Sequence, residues 1–177
     1  MGKGWHRKGA DLAMATLVEL RRLGVDATLD IVGSSPDPAE HMPEGVVVHS
    51  ELDKGDPAGS RQFTQLYEQA AFFVLPFRAD CTPIVLAEAA AYGLPVLASA
   101  TGGMAAMLRP GRSGHLVDLA DFAATAAGLV ASCWRDPVAY HLSAAESRLF
   151  YEERVNWDSA TSALLDVVGE RLLARRV

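Results

Sequence analysis

The sequence has few cysteines: among its 177 residues only Cys81 and Cys133 carry a thiol. Two cysteines do not make a disulfide framework, which excludes the small disulfide-rich secreted domains. Long hydrophobic runs are also absent, because no apolar stretch reaches the roughly 20 residues that a membrane-spanning helix needs. The charged residues at the amino terminus are not followed by an apolar stretch, so no secretory signal is predicted. We therefore expect a cytoplasmic protein.

An excess of positive charge is lacking as well. The chain contains 16 lysine and arginine residues against 22 aspartate and glutamate residues, which gives a formal net charge of −6. General nucleic-acid binding requires a basic face that releases counterions, so the composition excludes nucleic acid as an expected partner. A small anionic ligand is not excluded, because a few local lysines are enough to hold a phosphate.

Several motifs of known chemistry are missing. The sequence contains no G-x-x-x-x-G-K-[ST] phosphate loop, no G-x-G-x-x-G fingerprint and no G-x-S-x-G nucleophile elbow. Its five histidines show no metal-ligand spacing, and D-x-D does not occur. We therefore expect neither a metal nor a cofactor.

What the sequence does contain is an alternation of predicted strands and helices. Apolar residues recur at helical spacing from Ala10 to Leu20, and Gly24 predicts the end of that helix. Apolar and alternating runs predict strands at 27–32, 46–48, 71–75, 95–98 and 114–117. Helices are predicted at about 63–70, 83–92 and 102–110, and throughout the chain after residue 119, the last from about 157 to 175. This order predicts one α/β domain spanning residues 1–177, Rossmann-like, with a parallel sheet and helices on both faces.

The beginning of the chain departs from that plan. A Rossmann-like domain normally opens on a strand whose end carries the first ligand loop. Here a loop and a helix come first, with no room for a strand before Gly2. Either the first strand is missing, or the sheet starts elsewhere.

The loop from residue 76 to residue 83 has the richest chemistry. It leaves a buried strand and enters a helix, with Thr82 as the predicted N-cap and Pro83 at the first helical position. In parallel sheets a ligand lies beyond the carboxyl ends of the strands, and a helix N-terminus binds anions. The backbone amides in the stretch from Thr82 to Val85 are therefore candidates for an anion site.

Two carboxylates and two lysines are further candidates, each with a simpler explanation. Glu88 could accept hydrogen bonds from the hydroxyls of a ribose, or be an ordinary surface glutamate. Asp80 could bind a ligand or cap nearby loop amides. Lys3 and Lys8, with Gly2 beside them, could contact a phosphate or form a solvated basic end.

A longer motif contains both carboxylates. Residues 80–98 read D-C-T-P-I-V-L-A-E-A-A-A-Y-G-L-P-V-L-A. This segment resembles E-x-F-G-x-x-x-x-E-A-M-A-x-G-x-P-V-[IV]-A, the signature of glycosyltransferase family 4, whose members are retaining enzymes of the GT-B architecture. The similarity continues in Leu29–Gly33, which resembles the L-x-I-x-G strand, and in Leu66–Ala70, which resembles L-Y-x-x-A. Gly2-Lys3 and Lys8-Gly9 have the spacing of the family's G-R-x-x-x-x-K-G.

The resemblance implies a role for each matching residue. Lys3 and Lys8 would contact the diphosphate of a nucleoside-diphosphate sugar, Asp80 the transferred sugar, and Glu88 the ribose. Gly33 would lie near the base. The donor site implied in this way consists of Gly2, Lys3, Lys8, Gly33, Asp80, Cys81, Thr82, Pro83, Ile84, Val85 and Glu88, with Lys3, Lys8, Asp80 and Glu88 taking part in catalysis.

The resemblance also implies what surrounds this domain. The chain would be the C-terminal, donor-binding domain of a two-domain enzyme whose N-terminal acceptor domain is missing, so sugar transfer by this chain alone is not expected. Peripheral membrane association is expected only of a full-length enzyme. Two alternatives stay open: a non-catalytic, degenerate nucleotide-sugar module, and a GT-B epimerase. Three positions depart from the family pattern: Lys3 replaces an arginine, Asp80 a glutamate, and Ala106 a glutamate.

Overall fold

The computed structural model describes residues 4–36, 40–49, 52–79 and 84–174, with side chains up to Gly169. Within these ranges the strands are β1 (Leu29–Val32), β2 (Val46–His49), β3 (Phe73–Leu75), β4 (Val96–Ser99) and β5 (Gly114–Val117). The helices are α1 (Ala10–Arg22), α2 (Pro57–Gln69), α3 (Val85–Ala91), α4 (Phe122–Arg135), α5 (Pro137–Phe150) and α6 (Trp157–Ala174). Helices and strands are interspersed as far as β5, with no helix described between β1 and β2, and helices follow.

All described strand pairs are parallel, which confirms the predicted α/β class. The described strands are arranged in two sheets. β1 pairs with β2 in one sheet, and β3, β4 and β5 pair in that order in a second sheet. Among the described residues, nothing bridges the edges of β1 and β3.

Helices cover both faces of the three-stranded sheet. Phe73 and Leu75 face a cluster that includes Tyr67 of α2 and Leu86 of α3. Leu97 of β4 faces the opposite cluster, to which α1 and α4 contribute. A strand with an apolar layer on each side needs apolar residues at successive positions, which explains the continuous apolar run at 71–75.

Some predicted boundaries differ from the structure. The helix predicted over 102–110 is wrong: only a three-residue 3₁₀ helix, Met104–Ala106, forms there. Met104 is buried, and the Met107 amide donates to its carbonyl, so the segment closes into a single tight turn. The last helix begins at Trp157, close to its predicted start, but a π-helical turn, Tyr151–Val155, precedes it.

The last helix, α6, has an exposed apolar side. Trp157 is 77% exposed and Leu164 is 62% exposed. Among the described helices, none is both long enough and apolar enough to cross a membrane.

Gly9 is the N-cap residue of α1, at a point where the backbone approaches the segment after β3. Its φ is +75°, in the left-handed region that favours glycine. A Cβ built there would lie 1.9 Å from the carbonyl oxygen of Pro76. The residue therefore needs glycine both for its conformation and for space.

We predict that Gly9→Ala lowers the free energy of unfolding by about 2 to 4 kcal/mol. This loss exceeds the cost of the left-handed backbone conformation alone, because the added Cβ also collides with the Pro76 carbonyl. Gly24→Ala is a matched control, because Gly24 has a φ of +81° and open space around its Cβ position. It should cost only about 1 kcal/mol. Urea unfolding measures both, and equal losses would contradict a packing role for Gly9.

Candidate functional site

Two loops that the sequence assigns to the site are joined by their backbones. The Arg78 amide donates to the Arg7 carbonyl at 2.9 Å, and the Arg7 guanidinium donates to the Ala79 carbonyl at 3.0 Å. Lys8 follows Arg7 directly, and residue 80 follows Ala79. The lysine predicted for diphosphate binding therefore lies on a turn attached to the loop that leads to Asp80.

An ion pair strengthens this attachment. Arg78 donates to both carboxylate oxygens of Asp11, with N–O distances of 2.9 and 2.7 Å, and to the carbonyl of His6 at 2.6 Å. Hydrogen bonding from Arg78 lowers the pKa of Asp11 from 3.8, against a smaller opposing effect of burial. Bidentate arginine–carboxylate pairs are among the stronger and more directional ion pairs.

The end of β4 is held against the same segment. The hydroxyl of Ser99, which is fully buried, donates to the Phe77 carbonyl at 2.6 Å. Thr101 lies 3.0 Å from the Ser99 hydroxyl and also reaches the Phe77 carbonyl, at 3.4 Å. The strand ends that would surround a ligand are therefore cross-linked by one buried and two partly buried hydrogen bonds.

Glu88 lies on α3 and is held by a buried tyrosine. The hydroxyl of Tyr67 donates to Glu88 Oε2 at 3.2 Å. Tyr67 is 2% exposed and stacks on Tyr92, with ring centroids 5.0 Å apart. Burial, reinforced by the charge of Glu88, raises the pKa of Tyr67 well above its usual range. The tyrosine therefore stays protonated and acts as a fixed donor.

Lys54 binds the other carboxylate oxygen. Its Nζ lies 2.6 Å from Glu88 Oε1 and 3.7 Å from the centroid of the Phe63 ring. The turn that carries Lys54 is fixed on one side by Asp53, whose carboxylate accepts from the Gly55 amide at 2.8 Å. On the other side Asp56 caps α2. Cation–π and ionic contacts together place the ammonium over Glu88.

The carboxylate keeps acceptor capacity for a ligand. A carboxylate offers about four acceptor positions, and Tyr67 and Lys54 use two of them. The Glu88 side chain is 26% exposed, so solvent and solutes reach it. The arrangement can accept two hydrogen bonds from neighbouring hydroxyls while a cation lies beside it.

The other predicted site residues that the structure describes are Lys8, Gly33, Ile84 and Val85, and they lie in three different parts of the fold. Lys8 is partly buried in the turn before α1, and Gly33 directly follows β1, where its amide donates to the His49 carbonyl at 2.8 Å. Ile84 is 54% exposed at the N-cap of α3, and Val85 begins the helix with its side chain against the core. The helix thus starts at Val85 within the described residues.

The remaining predicted site residues lie outside the described residues. They are Gly2, Lys3, Asp80, Cys81, Thr82 and Pro83. Among the residues that are described, no group of three histidine, cysteine, aspartate or glutamate side chains could hold a metal ion.

Lys54 and Tyr67 were not predicted for the site. Tyr67 belongs to the segment resembling L-Y-x-x-A, but its periodicity indicates only a core position. Lys54 is 34 residues from Glu88 and lies in a loop whose path no local pattern determines. The one available signal was that this loop follows the end of a strand.

Comparison with known proteins identifies the family. A model of the family described as glycosyl transferases group 1 matches residues 1–133. The match covers most of the chain, and the chain therefore belongs to this family. The resemblance to glycosyltransferase family 4 is confirmed.

Two curated relatives match nearly the whole chain. The D-inositol 3-phosphate glycosyltransferase of Streptomyces avermitilis is 30% identical over 172 residues, which cover 93% of this chain and 37% of that protein. A mannosyltransferase of Mycolicibacterium smegmatis, described as GDP-mannose-dependent and acting on phosphatidylinositol monomannoside, is 29% identical and covers 96% and 47%. The chain thus spans less than half the length of these two relatives.

Solved structures share the fold. Sucrose-phosphate synthase from Thermosynechococcus elongatus superposes with a TM-score of 0.71 at 24% identity, covering 96% of this chain and 43% of that one. The HepE protein of Anabaena, crystallised with UDP, gives 0.66 at 14% identity and covers 93% and 46%. These similarities confirm the Rossmann-like half of a GT-B architecture.

The Arg78–Asp11 pair generates a prediction about pH. Asp11→Asn should lower the free energy of unfolding at pH 7 by about 1 to 3 kcal/mol, because the charge-assisted bonds are lost. A carboxyl group whose pKa is lower in the folded protein stabilises the fold at pH values above its pKa in the unfolded chain. This stabilisation is lost as the pH falls through the pKa in the folded protein. The difference between the two proteins should therefore be full near neutral pH, shrink below 3.8, and disappear once the pH has fallen below the lowered pKa of Asp11 in the folded protein.

Urea unfolding at a series of pH values measures this difference. Glu19→Gln is a suitable control, because Glu19 pairs with Arg22 at 2.8 Å on the surface of α1. Such exposed pairs contribute about 0.5 kcal/mol or less. A pH-independent loss for Asp11→Asn would contradict an ionic role for the pair.

Proposed function

We propose that this chain is the donor-binding domain of a retaining glycosyltransferase that transfers a sugar from a nucleoside diphosphate to an acceptor hydroxyl. The observation that supports it most is the Glu88 carboxylate, held by Tyr67 and Lys54 and still open to hydroxyl donors. Membership of the glycosyl transferases group 1 family supports the reaction class. The GDP-mannose dependence and UDP complex of the proteins described above agree with a nucleoside-diphosphate donor.

In this proposal, different residues bind different parts of the nucleoside-diphosphate donor. Glu88 accepts hydrogen bonds from the ribose hydroxyls. Lys8 provides positive charge for the diphosphate, and the first turn of α3 provides amides. Charge builds up on the diphosphate as it departs, and preorganised cations and amides stabilise that charge. No metal is required in this scheme.

The acceptor would bind elsewhere. Because the chain spans less than half of the relatives' length, we propose that a further domain of a longer protein supplies the acceptor site. The chain alone should then bind the donor nucleotide without transferring sugar. Robust transfer by these 177 residues would contradict this division of labour.

Titration calorimetry with UDP, GDP and ADP tests the proposal, and at least one should bind. Lys8→Ala should weaken the diphosphate about tenfold or more, and the corresponding nucleoside far less, because only the diphosphate carries the charge that Lys8 meets. Glu88→Ala should weaken both ligands, because both contain the ribose.

Glu68→Ala is the matched control for Glu88→Ala, since Glu68 is an exposed carboxylate on α2. It should leave both affinities unchanged. Equal losses of nucleoside and diphosphate in Lys8→Ala would contradict its assignment, and an unchanged nucleoside affinity in Glu88→Ala would exclude the ribose contact.

Tyr67→Phe tests how Glu88 is positioned. Removal of the hydroxyl frees Oε2 from its fixed donor, so nucleoside affinity should fall about three- to tenfold. The control is Tyr140→Phe, because the Tyr140 hydroxyl also donates a 3.2 Å bond, to the Ala71 carbonyl, away from Glu88. If both variants bind nucleoside as the wild type does, Tyr67 does not position the carboxylate.

A degenerate, non-catalytic module is the alternative. Ala106 is exposed at the position where the family pattern has a glutamate, and Lys54 already neutralises Glu88. Failure of all three nucleotides to bind would favour this alternative over the proposed donor site.

A further inference from the structure

The turn that carries Lys54 is packed closely against α2. The Asp53 carboxylate accepts from the Gly55 amide at 2.8 Å, and the Asp53 carbonyl accepts from the Asp56 amide at 3.2 Å. The Asp56 side chain also caps α2. A Cβ built on Gly59, in the first turn of that helix, would lie 2.2 Å from the Asp53 carbonyl oxygen, so only glycine allows this approach. The backbone on both sides of Lys54 is therefore fixed by contacts within the protein.

The side chain of Lys54 continues a row of aromatic rings. Its Nζ lies 3.7 Å from the centroid of the Phe63 ring. Phe63 meets Tyr67 edge to face, with ring centroids 4.9 Å apart and an angle of 60° between the ring planes. Tyr67 contacts Glu88 Oε2, and Lys54 contacts Oε1. One row of packed rings therefore positions both groups that hold the carboxylate.

The Lys54 ammonium retains hydrogen-bond donors. An ammonium has three N–H groups, and among the described residues Glu88 supplies the one acceptor that Lys54 bonds. The Lys54 side chain is 51% exposed and that of Glu88 is 26% exposed. A solute that reaches the carboxylate therefore also reaches the ammonium. The pair offers acceptors and donors side by side.

A hydroxyl group uses both kinds of partner, because its hydrogen is donated and its oxygen accepts. The Glu88 carboxylate only accepts, so a hydroxyl bound to it still has an oxygen that can accept from another group. Lys54 lies against the same carboxylate and can supply that donor. Hydrogen bonds from a charged donor are about twice as strong as neutral ones. The Glu88–Lys54 pair can therefore bind a hydroxyl from both sides.

We propose that Lys54 determines specificity for the sugar of the donor nucleotide: its ammonium donates to the oxygen of one ribose hydroxyl, while that hydroxyl donates its hydrogen to Glu88. The ligand is then a ribonucleotide, and a nucleotide that lacks this hydroxyl binds less tightly because it loses both bonds. This inference rests on the proposed function, since it takes Glu88 as the residue that binds the ribose.

The test compares three variants. Lys54→Met removes the charge and keeps an apolar side chain over Phe63, whereas Lys54→Arg keeps a cation that can donate. Arg22→Met is the matched control, because Arg22 forms an exposed ion pair with Glu19 at 2.8 Å on the surface of α1. Titration calorimetry measures the affinity of each variant for UDP, GDP or ADP, whichever the wild type binds. The 2′-deoxy and 3′-deoxy forms of that nucleotide, and its nucleoside, are measured in the same way.

Lys54→Met should weaken the ribonucleoside diphosphate about tenfold, because a charge-assisted hydrogen bond is lost. The nucleoside should lose affinity by the same factor. For at least one of the two deoxy forms the substitution should change nothing, since the hydroxyl that Lys54 contacts is then already absent. Lys54→Arg should bind the nucleotide within about threefold of the wild-type affinity, because it retains a charged donor. Arg22→Met should bind every ligand as the wild type does.

Three results would overturn the inference while the proposed function stands. One is nucleotide binding that depends on Glu88 but is unchanged in Lys54→Met. Another is tighter binding in Lys54→Met, because the ammonium would then compete with the ribose for the carboxylate. The third is an equal loss for the nucleotide and both deoxy forms, or a loss confined to the diphosphate, because Lys54 would then act through its charge on the phosphates. If the wild type binds none of the nucleotides, the proposed function fails and this inference fails with it.

Discussion

Leu97, in the middle of β4, packs against one layer of helices, whereas Val96 and Ala98 on either side of it pack against the other. All three are at most 2% exposed. A backbone surrounded in this way must pair on both edges, and β3 and β5 supply those partners in parallel. Parallel pairing brings the strand ends to one edge, where Ser99 is bonded to Phe77. The position of the candidate site follows from the burial of this one strand.

The elements set by local patterns could be predicted from the sequence. β5 lies at the predicted residues, and the apolar run before Pro76 contains β3. Glu88 lies on the predicted helix. Contacts between distant segments could not be predicted in this way: Arg78 meets Asp11 across 67 residues, and Lys54 meets Glu88 across 34. Such pairs depend on the paths of loops, which carry no periodicity.

The division of the sheet is a second feature that no pattern indicates directly. A loop and a helix come before the first predicted strand, but no sequence pattern indicates that the described strands are divided between two sheets. The structure places an apolar cleft between β1 and β3, with Trp5 at its end. The candidate site lies beside this gap, because Lys8 lines the cleft and belongs to the turn bonded to Ala79 through Arg7.

Glu88 combines a fixed position with remaining acceptor capacity, and the proposed donor site depends on that combination. Tyr67 holds one oxygen from the core, while Lys54 approaches the other from a loop. A crystal structure of the chain with a bound nucleoside diphosphate tests this most directly. We expect both ribose hydroxyls within hydrogen-bond distance of Glu88, and the diphosphate near Lys8 and the start of α3. A nucleotide bound elsewhere, with Glu88 contacting only Tyr67 and Lys54, would contradict the account.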